Sequence, residues 1–169
     1  IFKELAAAEE GGPLEWAERP EDRTRLWQAR HDVYFANLGL RPGMTGFATD
    51  VCVPLSRLAD CVTETHADIE ELGLIAPVVG HVGDGNFHVM PLVDLADADE
   101  IDRVEKFNDR LVKRALAMGG TCTGEHGIGS GKMKFMEMEH GPGIAVMAAI
   151  KKALDPCNIF NPGKIIALP

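Results

Sequence analysis

The run Gly80-His81-Val82-Gly83-Asp84-Gly85-Asn86-Phe87-His88 sets two imidazoles on either side of an Asp-Gly pair. Asp-Gly between apolar flanks is a strong short-range signal for a β-hairpin. Centring the turn between Asp84 and Gly85 pairs Gly83 with Asn86, Val82 with Phe87 and His81 with His88. Directly opposed residues hold their Cβ atoms about 4.5–5.5 Å apart on one face. The two rings can then converge on one ion at the roughly 2.0–2.1 Å of a zinc–imidazole bond. Val82 and Phe87 would point to the opposite face, toward a core. A second cluster, Gly124-Glu125-His126-Gly127-Ile128-Gly129, supplies a carboxylate and a third imidazole where glycines permit close backbone approach. Two histidines and one carboxylate, with open positions for substrate, make up the donor set of many catalytic metal sites. Glu125 is therefore the candidate third ligand and His126 a candidate general base.

Plainer readings fit the same residues. A histidine pair can simply be hydrogen-bonded within a sheet, and Asp84-Gly85-Asn86 is explained by turn geometry alone. Gly127, Gly129 and Gly131 can be loop punctuation, and Lys132 a charge at a helix start. Spacing by itself leaves these readings level with the metal site. Two cofactor motifs are excluded: Lys132 stands where a dinucleotide fingerprint after Gly127-x-Gly129 needs glycine, and a phosphate-binding P-loop ending at Gly131-Lys132 would need glycine at His126 and Ser or Thr at Met133.

The elements that must carry these groups follow from periodicity. Ile1 to Glu10 reads as helix stopped by Gly11-Gly12, and Pro13 to Ala17 as a short strand. A helix fits Glu21 to Asn37, entered through Pro20 and left at Gly39. On it Leu26, Arg30, Val33 and Tyr34 share one face, which sets Arg30 among apolar neighbours. Gly46 to Val53 alternates as a strand ended by Pro54, and Ser56 can cap a helix reaching about Leu72. Ile75 to Val93 is the hairpin. Asp97 to Met118 is an amphipathic helix with Ile101, Val104, Phe107, Leu111 and Leu116 on its apolar side, ended by Gly119-Gly120. Helical material from Lys132 to Leu154 precedes a tail containing Asn161-Pro162-Gly163-Lys164. The clear strand pair is antiparallel, so an α+β fold is expected, with helices on one face of an antiparallel sheet.

A chain of 169 residues with 46% apolar and 25% charged content has the size and make-up of one globular domain. Its net charge of −9 argues against a nucleic-acid partner, whose phosphates are met by Lys and Arg. No stretch approaches the roughly 20 apolar residues of a membrane span. Cys52, Cys61, Cys122 and Cys157 form no Cys-x-x-Cys pair. That spacing suggests an intracellular, reducing compartment, cytoplasmic if the source is bacterial. The first residues carry no targeting pattern and read as a chain entered within a helix. A homo-oligomer is left open.

Taken in order, His-Val-Gly-Asp-Gly-Asn-Phe-His, Gly-Thr-Cys-Thr-Gly-Glu-His-Gly-Ile-Gly-x-Gly-Lys and Leu-Asp-Pro…Asn-Pro-Gly-Lys resemble the C-terminal region of FAD-linked oxidases of the vanillyl-alcohol-oxidase type. Trp27-Gln28-Ala29-Arg30-His31 and the segment Thr49 to Leu58 are most similar to the D-lactate dehydrogenase branch, and the resemblance runs from Leu14 onward. It implies a ferredoxin-like cap domain, here partial and spanning 1–169, with an FAD-binding domain that precedes it and is absent from this chain. It further implies that His81, His88 and Glu125 hold a divalent metal, zinc or manganese, and that His126 is the base. Arg30 would clamp the substrate carboxylate, and Asn161 would lie near the flavin. The implied activity oxidises a D-2-hydroxy acid to the 2-oxo acid, with hydride passing to flavin and on to an unidentified electron acceptor. A metal-dependent hydrolase, or an isolated cap without activity, are the alternatives. Relatives that act on 2-hydroxyglutarate carry Asn and Lys where this chain has Met90 and Ala48. Met90 shares the parity of His88 and is expected to border the pocket, which favours a short monocarboxylate such as D-lactate.

Overall fold

Proline lacks the N–H that the first helical turn cannot use, and Pro20 accordingly opens the helix α2 (Pro20–Leu38), which follows the short α1 (Phe2–Ala8). The computed structural model describes residues 2–8 and 16–167, and the chain divides into two compact units, Ile1–Leu40 and Arg41–Pro169. The Gly11-Gly12 stop and most of the expected strand at 13–17 lie outside the described residues; Trp16 and Ala17 are irregular. Helix α2 ends as expected, the Gly39 N–H donating to the Phe35 and Ala36 carbonyls at 3.1 Å. Its expected apolar face is not a buried one. Leu26 and Tyr34 are exposed, and Val33 and Arg30 only half-buried.

The second unit is built on two small antiparallel sheets. Strand β1 (Thr45–Gly46) pairs with β5 (Leu92–Val93), and β2 (Val51–Cys52), β4 (Asn86–Val89) and β3 (Val78–His81) form a sheet in the order β2-β4-β3. The antiparallel α+β expectation holds. The single strand expected over 46–53 is divided into β1 and β2. Between them the Thr49 hydroxyl stands in for a rung of the ladder, accepting from the Val89 N–H at 2.9 Å and donating to the Val89 carbonyl at 3.0 Å.

Helices α3 (Leu55–Glu71) and α4 (Ala98–Ala117) pack on this framework. The Asp97 carboxylate caps α4 by accepting from the Asp99 and Glu100 N–H groups at 3.0 and 3.1 Å. The start of α3 differs from expectation: Pro54 precedes it, and Ser56 falls inside its first turn. Val51, Phe87 and Val89 of the sheet meet Cys61 and Ile69 of α3 and Val104, Phe107, Leu111 and Ala115 of α4 in one core. The helical material beyond Lys132 is broken at Gly141-Pro142 into α5 (Met136–His140) and α6 (Gly143–Leu154), after one 3-10 turn at Met133–Phe135.

An ion cluster joins α3 to α4. Asp68, 7% exposed, accepts from Arg110 at 2.6 Å and from Arg114, while Arg110 also grips Glu71 and Arg114 reaches Glu64 and Thr65. Burial alone would raise the Asp68 carboxyl, but the Arg114 and Arg110 guanidiniums outweigh it and hold the group below its ordinary range. A carboxyl whose folded-state affinity for protons is depressed contributes stability above its unfolded pKa and loses it as pH falls through the folded value. Asp68→Ala should thus cost about 3 kcal/mol at neutral pH, the low end for opening a buried ion pair, because both arginines keep other partners. The difference from wild type should shrink below about pH 4. Urea melts at neutral and acid pH check both statements.

Candidate active site and metal centre

The turn that separates the two hairpin histidines is longer than Asp-Gly alone requires. Val82–Asp84 make one 3-10 turn and Gly85 follows with φ +74°. The carbonyl of Gly85 accepts from the Val53 N–H at 3.0 Å, and a Cβ on Gly85 would lie 2.0 Å from the Val53 carbonyl oxygen. Glycine is therefore needed here for both its backbone angle and its size.

The consequence is a register two residues away from the expected one: His81 pairs with Asn86, Gly80 with Phe87 and Val79 with His88. An even shift conserves facing. His81 and His88 remain on one face as diagonal neighbours, their ring centroids 6.1 Å apart and perpendicular. Val82 does not oppose Phe87. It is 72% exposed in the turn while Phe87 enters the core. Gly80 fills the place opposite Phe87, where a Cβ would meet the Phe87 Cβ at 2.7 Å.

Glu125 arrives from the other side. The segment at 121–126 is fastened to the edge of β2, Thr121 and Cys52 exchanging main-chain hydrogen bonds of 2.8 and 3.3 Å. Cys122 behind it donates its N–H to Glu139 at 2.9 Å. Burial, reinforced by that carboxylate, pushes the Cys122 thiol up to about 12, so it packs as a neutral group rather than serving as a nucleophile.

One donor atom each from His81, His88 and Glu125 lies within 4.8 Å of the others. Glu125 Oε1 is 2.9 Å from His88 Nε2, 3.8 Å from His81 Nε2 and 3.4 Å from His126 Nε2. The His126 ring stacks on that of His88, centroids 4.9 Å apart and planes 20° apart.

The orientation of the His88 ring follows from its surroundings. Its Nδ1 lies 3.1 Å from the Thr49 carbonyl oxygen, which can only accept, so Nδ1 carries the hydrogen. The Asp50 carboxylate, 3.7 Å away, favours the same assignment. His88 Nε2, buried and 2.9 Å from the Glu125 carboxylate, has no hydrogen-bond partner, and neither does Asn86 Oδ1 on the same face of the sheet. A buried polar atom without a partner is costly, and a cation held by His88 Nε2 with Glu125 and His81 would remove that cost at Nε2. A histidine whose other nitrogen donates to a backbone carbonyl is the usual form of a metal-bound imidazole.

Sequence reasoning missed the residue beneath this cluster. Asp50, 1% exposed, accepts from the Asn86 amide at 2.8 Å, from the Thr123 hydroxyl at 2.8 Å and from the Glu125 and His126 N–H groups at 3.0 and 2.8 Å. Burial works to raise its carboxyl, but the backbone N–H groups of His126 and Glu125, with Thr123 and Asn86, hold it far below the usual carboxylate range. Lys132 is no mere helix-start charge, for its ammonium reaches back to the Asp50 carbonyl at 2.8 Å. The available signal was a charged residue inside a segment expected to be strand, which must find partners if buried.

Beside His126 lies a cleft of about 300 Å³ walled by Phe47, Ala48, Asp50, Asn108, Lys132 and the glycine-rich segment at 127–131. Met90 is not on that wall; it is 5% exposed and packs behind Gly46, whose Cβ would meet its Sδ at 3.1 Å. Arg30 is half-buried on α2 in the other unit, and Asn161 is exposed in the tail with φ +48°. The four cysteines are free, and no helix of the described residues is long and apolar enough to cross a membrane.

A family model described as FAD linked oxidases, C-terminal domain, matches residues 1–165. The chain is 50% identical over 99% of its length to a probable mitochondrial D-lactate dehydrogenase of Danio rerio, and 41% identical over 98% to a mitochondrial D-lactate dehydrogenase [cytochrome] of Arabidopsis thaliana. It spans 34% and 30% of those relatives. A solved 4-ethylphenol oxidase from Gulosibacter chungangensis shares the fold with TM-score 0.61 and 21% identity, over 90% of this chain and 32% of that one.

Proposed function

The chain belongs to the family of FAD-linked oxidase C-terminal domains, and on that footing we propose that it is the substrate- and metal-binding part of an FAD-dependent D-2-hydroxyacid dehydrogenase acting on D-lactate or a similar short acid. The observation that supports the metal is His88 Nε2, buried, unsatisfied and 2.9 Å from the Glu125 carboxylate. His81, His88 and Glu125 are the proposed ligands. Imidazole suits zinc, and the carboxylate with open positions admits manganese. A divalent ion there supplies Lewis acidity to the substrate hydroxyl, and FAD, bound mainly outside this chain, supplies the hydride acceptor.

The chain's own residues have the remaining work. Arg30 binds the substrate carboxylate as a planar fork, an assignment that rests on the resemblance of its helix. His126, open to the cleft, takes the α-hydroxyl proton on a ring nitrogen, and the hydride leaves Cα to give the 2-oxo acid. Asn161 is assigned to the flavin side. The chain is proposed to be the segment that follows an FAD-binding domain. The two relatives are named as mitochondrial, and the mitochondrion, rather than the cytoplasm, is the compartment we assign.

Substrate length is argued from what the cleft lacks. Ala48 on its wall and Met90 behind Gly46 offer no charge to a second carboxylate, and the Lys132 ammonium is already engaged by Asp50. Burying an unpaired carboxylate costs several kcal/mol. The intact protein should show flavin absorption bleached by D-lactate, one divalent ion per chain by elemental analysis, and a lower kcat/KM for D-2-hydroxyglutarate. A colourless protein that hydrolyses esters would overturn the dehydrogenase reading, and a preference for the glutarate would overturn the short-acid reading.

A further inference from the structure

Glu125 and His126 pose a positioning problem. Their side chains are 47% and 49% exposed, so packing does not hold them in place. Nor does a helix or strand: the described segment at 123–131 is irregular. A site whose geometry must hold to a fraction of an ångström needs some other anchor.

Asp50 meets that need. Three of the four hydrogen bonds to its carboxylate come from residues 123–126, two of them from the main-chain N–H groups of Glu125 and His126 themselves. The fourth comes from Asn86, two residues before His88 on β4, and the preceding Thr49 carbonyl accepts from the His88 ring. The approach is close: a Cβ on Gly124 would fall 2.0 Å from the Asn86 Nδ2 and 3.0 Å from Asp50 Oδ1. Lys132 ties the far end of the glycine-rich segment to the same residue through the Asp50 carbonyl.

We infer that Asp50 is the positioning residue of the metal centre, joining the hairpin that carries His88 to the loop that carries Glu125 and His126 and setting their separation. This rests on the metal reading above. A carboxylate is required because two oxygens must accept from four donors; an asparagine presents one oxygen and turns its amide toward donors. Outer residues that orient metal ligands typically change metal affinity by about 10–100-fold when replaced.

The test uses the intact protein and its cobalt(II)-substituted form, with zinc affinity by competition and the cobalt visible spectrum as readouts. Asp50→Asn should weaken zinc binding by about 10–100-fold and alter the cobalt spectrum, with the thermal midpoint recorded as a check on folding. Thr123→Val removes one of the four donors without touching the main chain, and should shift both readouts the same way by less. Should Asp50→Asn fail to fold, Thr123→Val alone decides. Wild-type zinc affinity and an unchanged cobalt spectrum in a folded variant, with His88→Ala still abolishing binding, would overturn the role of Asp50 and leave the metal site standing. A wild-type protein that binds no divalent ion would overturn both.

Discussion

His126→Ala should lower kcat for the D-2-hydroxy acid by about 10²–10⁴-fold, the range a positioned general base supplies, while metal content stays at the wild-type level. His126 is open to the cleft, its Nε2 3.4 Å from the Glu125 oxygen and its ring stacked on His88. Removing its ring therefore removes a proton acceptor without removing a proposed ligand. Stacking on His88 offers a rival explanation for any loss, and His126→Phe separates the two. Phenylalanine keeps a flat ring against His88 and has no basic nitrogen. Both variants should be equally slow. A kcat near wild type in either would place the base elsewhere, and recovery in the phenylalanine variant alone would make His126 a spacer.

His88→Ala carries the second large effect. It deletes the buried nitrogen that faces Glu125, and the loss of metal affinity should exceed the roughly 10–100-fold that follows loss of a supporting residue. The same variant predicts a change in stability. An ion that binds only the folded chain stabilises it by about 2.7 kcal/mol at one hundred times its dissociation constant. Adding zinc should thus raise the melting temperature of the wild-type protein and leave His88→Ala unmoved. The bare cost of the substitution, from the lost bond to the Thr49 carbonyl and the cavity left by a buried ring, is the same with and without zinc, so the zinc-dependent shift isolates the ligand role. A zinc-dependent shift that survives in His88→Ala would remove His88 from the ligand set.

The meeting of His81 and His88 was legible in the sequence because facing depends only on parity. Placing the turn at Asp84-Gly85 gave a register wrong by two residues, yet His81 and His88 stayed on one face because the error was even. What the strand pattern could not show was the pull of Val53 on Gly85, which lengthens the turn and strands Val82 in solvent. Asp50 was hidden for a different reason. Its partners, Asn86, Thr123, Glu125 and His126, lie 36 to 76 positions away, and no local periodicity encodes such a meeting. Met90 had the parity to approach the cleft, but Gly46 on β1 leaves room into which its thioether folds. Helix α2 shows the converse. Its boundaries were readable from Pro20 and Gly39, whereas its apolar face was not, since Leu26, Trp27, Tyr34 and Phe35 are exposed.

The hairpin sheet has two unlike faces, with Val51, Phe87 and Val89 on one and His81, Asn86 and His88 on the other. Adjacent residues Phe87 and His88 therefore belong to different chemistries, and chain length between positions 81 and 88 is a coordinate of the site. Adding or removing one residue there would exchange the faces, sending an imidazole into the hydrocarbon core and a phenyl ring to the carboxylate. Side chains at exposed Val82 and Gly83 can vary one at a time, whereas Gly85 cannot; changes of length come only in pairs, or with the loss of both the core and the His81–His88 pairing. Among descendants of this chain the 81–88 interval should resist insertion and deletion more strongly than its exposed surface would suggest.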